Sequence, residues 1–202
     1  MKKLTSLVAL VLVLTGTALG QCKITTALNA IKVKYDTLNY FGVDVSHVRV
    51  NDLEKVSKSA SYSQVYPSAW VAFVEKEMPP YAYVKKTTRF ANFNYCQKEI
   101  LATSTKPNPD LVIAEDNIIS PDTLKTIIKN YRLTTKSGLG LVLIPQTFSK
   151  PEEKSYTWII FFDVRTRDIL FQCMTSGGCS HMGYTAHWAS GIIEGFKRFV
   201  KK

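Results

Sequence analysis

The chain has 202 residues, of which 46% are hydrophobic and 21% charged, and it carries 26 basic against 16 acidic side chains. This composition excludes a disordered or low-complexity chain, and the length suits one domain that buries about 70% of its unfolded surface. The basic residues are spread along the chain, which argues against a nucleic-acid partner and favours an anionic lipid, glycan or protein surface.

The first twenty residues are typical of a secretory signal peptide. Lys2 and Lys3 form a positive start, Leu4 to Leu14 are mostly apolar, and small residues precede a cleavage site after Gly20. The apolar run is shorter than the roughly 18–20 residues that a membrane anchor requires. We therefore expect residues 1–20 to be removed, leaving 21–202 as a single exported domain, periplasmic or secreted, without a transmembrane segment.

Four cysteines remain after this cleavage, at Cys22, Cys96, Cys173 and Cys179. An even number of cysteines in an exported chain predicts two disulfides, for which three pairings exist. Proximity along the chain favours Cys173–Cys179 together with Cys22–Cys96. Cys22 also stands where a lipoprotein carries its lipid, but Gln21 is not the small residue that such a signal places before the cysteine.

In the N-terminal half, Leu38 to Val50 predicts a strand. Its alternation changes phase at Ser46-His47, which indicates a bulge or a strand end there. Pro67 to Met78 predicts a helix with Pro67 in its first turn, because large apolar residues recur on one face. Two short strands and a further helix are expected at Tyr81 to Val84, at Leu111 to Ala114 and from Ser120.

The C-terminal third predicts three consecutive strands at Leu139 to Ile144, Tyr156 to Val164 and Ile169 to Met174. The middle strand shows no alternation of polar and apolar residues, so we expect helices to cover both of its faces. The connection Arg165-Thr166-Arg167 is short enough for a hairpin, which makes the last two strands antiparallel.

The final helix, about 184–200, places Trp188, Ile192 and Phe196 on one stripe that should pack on the middle strand. Together these elements predict an α+β (mixed α/β) single domain. Its sheet is expected to be mixed but mainly antiparallel, with a C-terminal three-strand meander and helices packed on it.

Three stretches resemble exported proteins of unknown function that are common in Bacteroidota: Tyr40 to Ser46, Ser137 to Val142 and Trp158 to Thr166. In those proteins, as in Ser176-Gly177-Gly178 and Trp188, a glycine-rich loop leads to a tryptophan-containing helix. The order of strand, turn, strand and helix also resembles the N-terminal domain of TolB-like and curli-secretion-like envelope proteins. Both resemblances imply an envelope location and no established activity, and Cys179, His181 and Met182 depart from the glycine-rich pattern.

The sharpest candidate site is the series Cys173, Cys179, His181 and His187, since two thiolates and two imidazoles can bind zinc. The spacing is not that of a zinc finger, and oxidised thiols cannot act as ligands. We therefore predict no metal, no cofactor and no catalytic residue. The alternative is an extracytoplasmic hydrolase that uses His181 or His187, although the chain lacks a Gly-x-Ser-x-Gly motif.

Paired carboxylates for glycoside chemistry would have to come from Asp44, Asp52, Glu115, Asp116 and Asp163. Asp163 is expected instead to cap the hairpin turn, because aspartate readily binds turn backbone. The sequence thus favours a non-catalytic envelope or secreted domain for binding or assembly, which engages an anionic surface or another envelope protein.

Overall fold

The computed structural model describes residues 29–201, so the expected signal peptide and Cys22 lie outside the described part of the chain. Within this range seven strands form one sheet. In chain order they are β1 (Thr37–Val43), β2 (Arg49–Asn51), β3 (Asn92–Tyr95), β4 (Val112–Ile113), β5 (Leu139–Ser149), β6 (Lys154–Asp163) and β7 (Ile169–Gly178).

Helices connect and flank these strands: α1 (Ser59–Glu77), α2 (Lys98–Ser104), α3 (Pro121–Asn130) and α4 (Tyr184–Lys201). Shorter helical segments lie at 29–34, at Leu53–Lys58, at Pro80–Lys85 and at Lys86–Thr88. Within residues 29–201, no helix combines the length and the apolar character that crossing a membrane requires.

Two local predictions are wrong. Tyr81 to Val84 is π-helical, and the Tyr83 N–H donates to the Pro79 carbonyl at 2.8 Å. A short apolar run does not distinguish strand from helix by periodicity, and Pro80 at the first position favours a helix. Helix α1 begins at Ser59, so Pro67 lies inside the helix and not in its first turn.

β5 organises the sheet. One of its edges pairs with β6 over its whole length, and the other edge pairs with β1 near its start and with β2 at its end. The predicted break in the first strand is confirmed, since residues 44–48 separate β1 from β2. The Asp44 carboxylate accepts hydrogen bonds from the Ser46 backbone and hydroxyl, which turns the chain at this point.

The expectation of a mainly antiparallel sheet is wrong. The pairs β1–β3, β1–β5, β2–β4 and β2–β5 are all parallel. Antiparallel pairing is confined to β5–β6 and β6–β7, the C-terminal meander. The reason is that β2 continues along β5 in the direction of β1, and that helical connections, α1 above all, return the chain to the same end of the sheet before β3, β4 and β5 begin.

Helices cover both faces of the sheet, and two hydrophobic cores result. On β6, Ile159 and Phe161 face the core under α1 and α4, whereas Trp158, Ile160 and Phe162 face the core that includes α3 residues. The prediction that helices cover this strand on both faces is therefore confirmed.

Helix α4 packs on β6 and β7 through the predicted apolar stripe, whose Trp188, Ile192 and Phe196 are fully buried. Its contact with β7 depends on glycine, since a Cβ atom added to Gly177 would lie 2.0 Å from the Gly191 carbonyl oxygen. This close contact holds the middle of α4 against the end of β7, and the first turn of the helix then borders one of the two pockets described next.

Candidate functional site

Two pockets lie at opposite ends of β5, which has 11 residues and is therefore about 35 Å long. The carboxyl-edge pocket has a volume of about 340 Å³ and is lined by Asp52, Glu54, Lys55, Lys150, His181, Gly183, Tyr184, His187 and Trp188. The basic pocket has a volume of about 420 Å³ and is lined by Lys34, Tyr35, Lys125, Lys129, Asp163, Arg165, Thr166, Arg167, Asp168, Ile169, Leu170 and Gln172.

The carboxyl-edge pocket is named for its position at the carboxyl ends of β2 and β5. Asp52 follows the last residue of β2, and Lys150 follows the last residue of β5. These two strands are parallel neighbours, so their carboxyl ends meet at one edge of the sheet. In open α/β sheets this is the edge at which ligands bind. The first residue of α4, Tyr184, closes the pocket from the side.

The structure brings His181 and His187 into the wall of this same pocket. The Nε2 atom of His187 lies 2.7 Å from a carboxylate oxygen of Glu153, an ion-pair distance without hydrogen-bond alignment. Glu153 also accepts a hydrogen bond from the Lys150 ammonium at 2.5 Å. This hydrogen bond, with a smaller contribution from His187, lowers the pKa of the Glu153 carboxyl.

A hydrolase would require a nucleophile beside this histidine–acid pair. Within residues 29–201, no serine or cysteine side chain forms a hydrogen bond with the His187 ring. The Nδ1 atom of His181 lies 3.5 Å from the Ser180 hydroxyl, but this contact is exposed to solvent. Burial raises the pKa of the Cys179 thiol, which disfavours the reactive thiolate at neutral pH.

The remaining cysteines lie apart. Cys173 belongs to the core under α1 and α4, and Cys96 belongs to the core on the opposite face of the sheet. Cys179 immediately follows β7, and six residues of extended strand span about 20 Å, whereas a disulfide needs Cα atoms within about 7 Å. A Cys173–Cys179 bond would thus require the end of β7 to leave the sheet, and the pairing stays a prediction.

The described residues contain no group of three or more His, Cys, Asp or Glu side chains placed to hold a metal ion.

Three of the candidate carboxylates, Asp44, Asp116 and Asp163, have structural partners. Asp44 accepts a hydrogen bond from the Tyr131 hydroxyl at 2.6 Å, and Asp116 accepts one from Asn51 at 2.9 Å. The prediction for Asp163 is confirmed, since its Oδ1 accepts hydrogen bonds from the backbone N–H groups of Arg165 and Thr166, both at 2.9 Å.

The basic pocket surrounds this capped turn between β6 and β7. Asp163 also accepts a 2.6 Å hydrogen bond from the Tyr35 hydroxyl, which joins the turn to the N-terminal segment. Partial burial acts to raise the pKa of the Asp163 carboxyl, but the hydrogen bonds from Tyr35 and the two backbone groups outweigh it, and the pKa is lowered. The carboxylate is therefore ionised and fully occupied within the protein.

Five cationic side chains line the basic pocket, and only Lys125 has an ion-pair partner within residues 29–201, namely Asp122 at 2.9 Å. The unpaired cations are Lys34, Lys129, Arg165 and Arg167. Gln172 adds a further donor: the residue is 3% exposed, it lines the pocket, and its side-chain nitrogen has no hydrogen-bond acceptor. The arrangement can hold a negatively charged group.

Sequence reasoning missed Lys150, Glu153 and Tyr184 at the carboxyl edge, and Gln172 in the basic pocket. The sequence signal for the first two is their position just after a long apolar strand, because loops at strand ends often carry ligand-binding residues. Comparison of the chain with protein-family models, with curated proteins and with solved structures found no match.

Proposed function

We propose that the protein is a non-catalytic, exported binding domain that docks on an anionic lipid surface through the basic pocket. The main support is the convergence of Lys34, Lys129, Arg165 and Arg167, which have no ion-pair partner within the described chain, around the unpaired amide of Gln172. The exported location, the disulfides and the relationship to envelope proteins belong to this proposal as well, and rest on the sequence patterns.

The cations come from three separate segments and surround one opening. Lys34 lies in the helical segment 29–34, Lys129 lies on α3, and the two arginines lie in the turn that Asp163 caps. Arginine can bind a phosphate through two parallel N–H groups, whereas lysine contributes a mobile point charge. A phosphate group in this opening would be contacted by both kinds of donor.

An apolar side chain beside the cations favours a lipid surface over a soluble anion. Val33 is 91% exposed and stands between Lys32 and Lys34. On an anionic membrane such a side chain can enter the interface while the neighbouring lysines face the headgroups, an arrangement that a soluble anion does not offer.

Vesicle co-sedimentation tests this proposal. The protein is expected to sediment with phosphatidylglycerol vesicles, not with phosphatidylcholine vesicles, and to dissociate as salt is added. Each basic residue near an anionic surface contributes about 1 kcal/mol, so loss of two should weaken partitioning about 30-fold. The variant is Lys129→Glu/Arg165→Glu, and the matched control is Lys58→Glu/Lys106→Glu, which changes the net charge at least as much at exposed positions outside both pockets.

Equal binding of the two double variants, or equal sedimentation with both vesicle types, would refute the proposal. Inorganic phosphate serves as a competitor: displacement at moderate ionic strength would indicate recognition of the phosphate group alone. Retained binding to vesicles in the presence of phosphate supports docking on the lipid surface.

The second candidate function is the hydrolase that uses His187, for which the contact with Glu153 is the specific observation. A panel of nitrophenyl esters and glycosides tests it. Turnover that disappears in His187→Ala, with unchanged vesicle binding, would favour the hydrolase; absence of turnover leaves the binding domain as the better account.

A further inference from the structure

The carboxyl-edge pocket contains a buried carboxylate that the fold itself does not use. Asp52 is 6% exposed and lines the pocket. It stands at the cap position of the helical segment Leu53–Lys58, where its backbone carbonyl accepts a hydrogen bond from the Lys55 N–H at 2.9 Å. Its side chain accepts no capping hydrogen bond, and within residues 29–201 its carboxylate has no hydrogen-bond or ion-pair partner. Polar groups in native proteins are nearly always satisfied by the protein or by water, so a carboxylate that the fold leaves without a protein partner in the wall of a pocket is open to a ligand.

Two further polar groups, one hydroxyl and one indole N–H, lie in the wall of the carboxyl-edge pocket. The Tyr184 hydroxyl and the Trp188 indole nitrogen are both buried, and both residues line the pocket. Within residues 29–201 neither group has a well-aligned hydrogen-bond partner, although the Trp188 side chain lies close enough to the Tyr184 hydroxyl to act against the rise of its pKa. Burial and the Asp52 carboxylate raise the pKa of the Tyr184 phenol, so that it stays protonated and able to donate. The pocket therefore combines a carboxylate acceptor with two donors.

The charge of the lining is balanced, which argues against a strongly charged ligand. Asp52 and Glu54 oppose Lys55 and Lys150, and Lys150 already pairs with Glu153. A ligand that completes the hydrogen bonding of these side chains must donate a hydrogen bond to the Asp52 carboxylate and accept one from the Tyr184 hydroxyl or the Trp188 indole N–H. A hydroxyl group can do both. The aromatic rings of Tyr184 and Trp188, whose centroids are 6.0 Å apart, supply the apolar part that small-ligand sites usually have.

We propose that the carboxyl-edge pocket binds a small neutral polyhydroxylated ligand of the size of a monosaccharide. Its volume of about 340 Å³ is at the lower end of the range for small-molecule pockets, about 300–1,000 Å³, which suits a single sugar ring. Its place at the carboxyl ends of parallel strands is the usual ligand position in such sheets. This site lies at the opposite end of β5 from the basic pocket and is independent of the lipid-binding proposal.

Titration calorimetry with glucose, galactose, N-acetylglucosamine and inositol tests the inference, with glycine and choline as zwitterionic and cationic probes. We expect saturable binding of at least one of the neutral compounds. Trp188→Phe keeps an aromatic ring but removes the indole N–H, and should weaken that binding about tenfold, the effect of one hydrogen bond to the ligand. Asp52→Asn should weaken it at least as much, because the amide offers one acceptor oxygen in place of two.

Trp70→Phe is the matched control. Trp70 is also fully buried, its indole nitrogen also lacks a partner within residues 29–201, and it does not line the pocket. Its ring stacks on Tyr184 with centroids 6.4 Å apart, and phenylalanine keeps an aromatic ring at this position. Trp70→Phe should leave the affinity unchanged, and circular dichroism checks that all three variants fold. The inference is overturned if no neutral compound binds, if glycine or choline binds in their place, or if Trp70→Phe lowers the affinity as much as Trp188→Phe.

Discussion

The change Trp188→Ala tests whether α4 is held on the sheet by its apolar stripe. The indole of Trp188 is 1% exposed and stacks on Phe148, with ring centroids 5.5 Å apart and an angle of 3° between the planes. It also contacts the rings of Tyr184 and His187, at 6.0 and 4.6 Å. Replacement by alanine removes these contacts and leaves a cavity under the first turns of the helix.

Truncation of a buried tryptophan costs about 3–5 kcal/mol. In a domain of this size each kcal/mol lowers the melting temperature by about 2–4 °C, so Trp188→Ala should melt about 10–15 °C below the wild type. Trp188→Phe keeps most of the buried ring and should lose far less. His187→Ala, at the neighbouring position, should cost about 1 kcal/mol or less, because its partner Glu153 is half exposed.

Thermal melts followed by circular dichroism measure all three variants on the same scale. If Trp188→Ala melts within a few degrees of the wild type, the stripe does not hold α4 on the sheet. If His187→Ala is as damaging as Trp188→Ala, the histidine–glutamate pair, and not the indole, secures this end of the helix.

The remaining predictions concern the basic pocket and the cysteines. Arg167 has φ 63, a conformation that costs a non-glycine residue about 1–2 kcal/mol, so Arg167→Gly should stabilise the fold and yet weaken binding to phosphatidylglycerol vesicles. Arg89→Gly, which relieves φ 56 with the same loss of charge, should stabilise without weakening binding; equal loss in both would show that net charge alone matters. The pKa of Asp163 is lowered in the folded state, so its contribution to stability is present above the unfolded-state pKa of about 4 and is lost as the pH falls through the folded value. Asp163→Asn should therefore make the acid unfolding curve less steep. An unchanged curve would contradict this. Non-reducing peptide mapping and intact mass should show two disulfides in a chain that begins at Gln21 without lipid, whereas free thiols throughout or a lipid on Cys22 would contradict the export and disulfide predictions.

The elements that the sequence determined by itself are those built from neighbours in the chain. The hairpin between β6 and β7 follows from a short turn with Asp163 at its start, and the burial of β6 follows from an uninterrupted apolar run. The stripe on α4 follows from its helical spacing. In each case the interacting residues are close in sequence, so local pattern and local geometry agree.

The strand directions in the N-terminal half depended on the tertiary structure. β1 and β5 are adjacent and parallel although α1 and three shorter strands intervene, and nothing in either apolar sequence specifies that pairing. The same holds for the pockets. His181 and His187 drew attention in the sequence, but Asp52 and Lys150 join them only because β2 and β5 run in the same direction and end at the same edge.

The distribution of positive charge also depends partly on the sequence and partly on the tertiary structure. Along the chain the basic residues are spread out, and the sequence alone predicted only a general preference for anionic partners. The fold gathers Lys34, Lys129 and Arg165 from three segments around one turn. Lys34 precedes β1, Lys129 lies on the helix before β5, and Arg165 follows β6. These residues meet because β1 and β5 begin, and the antiparallel β6 ends, at the same edge of the sheet. Strand directions, and not the order of residues, therefore decide which side chains share a pocket.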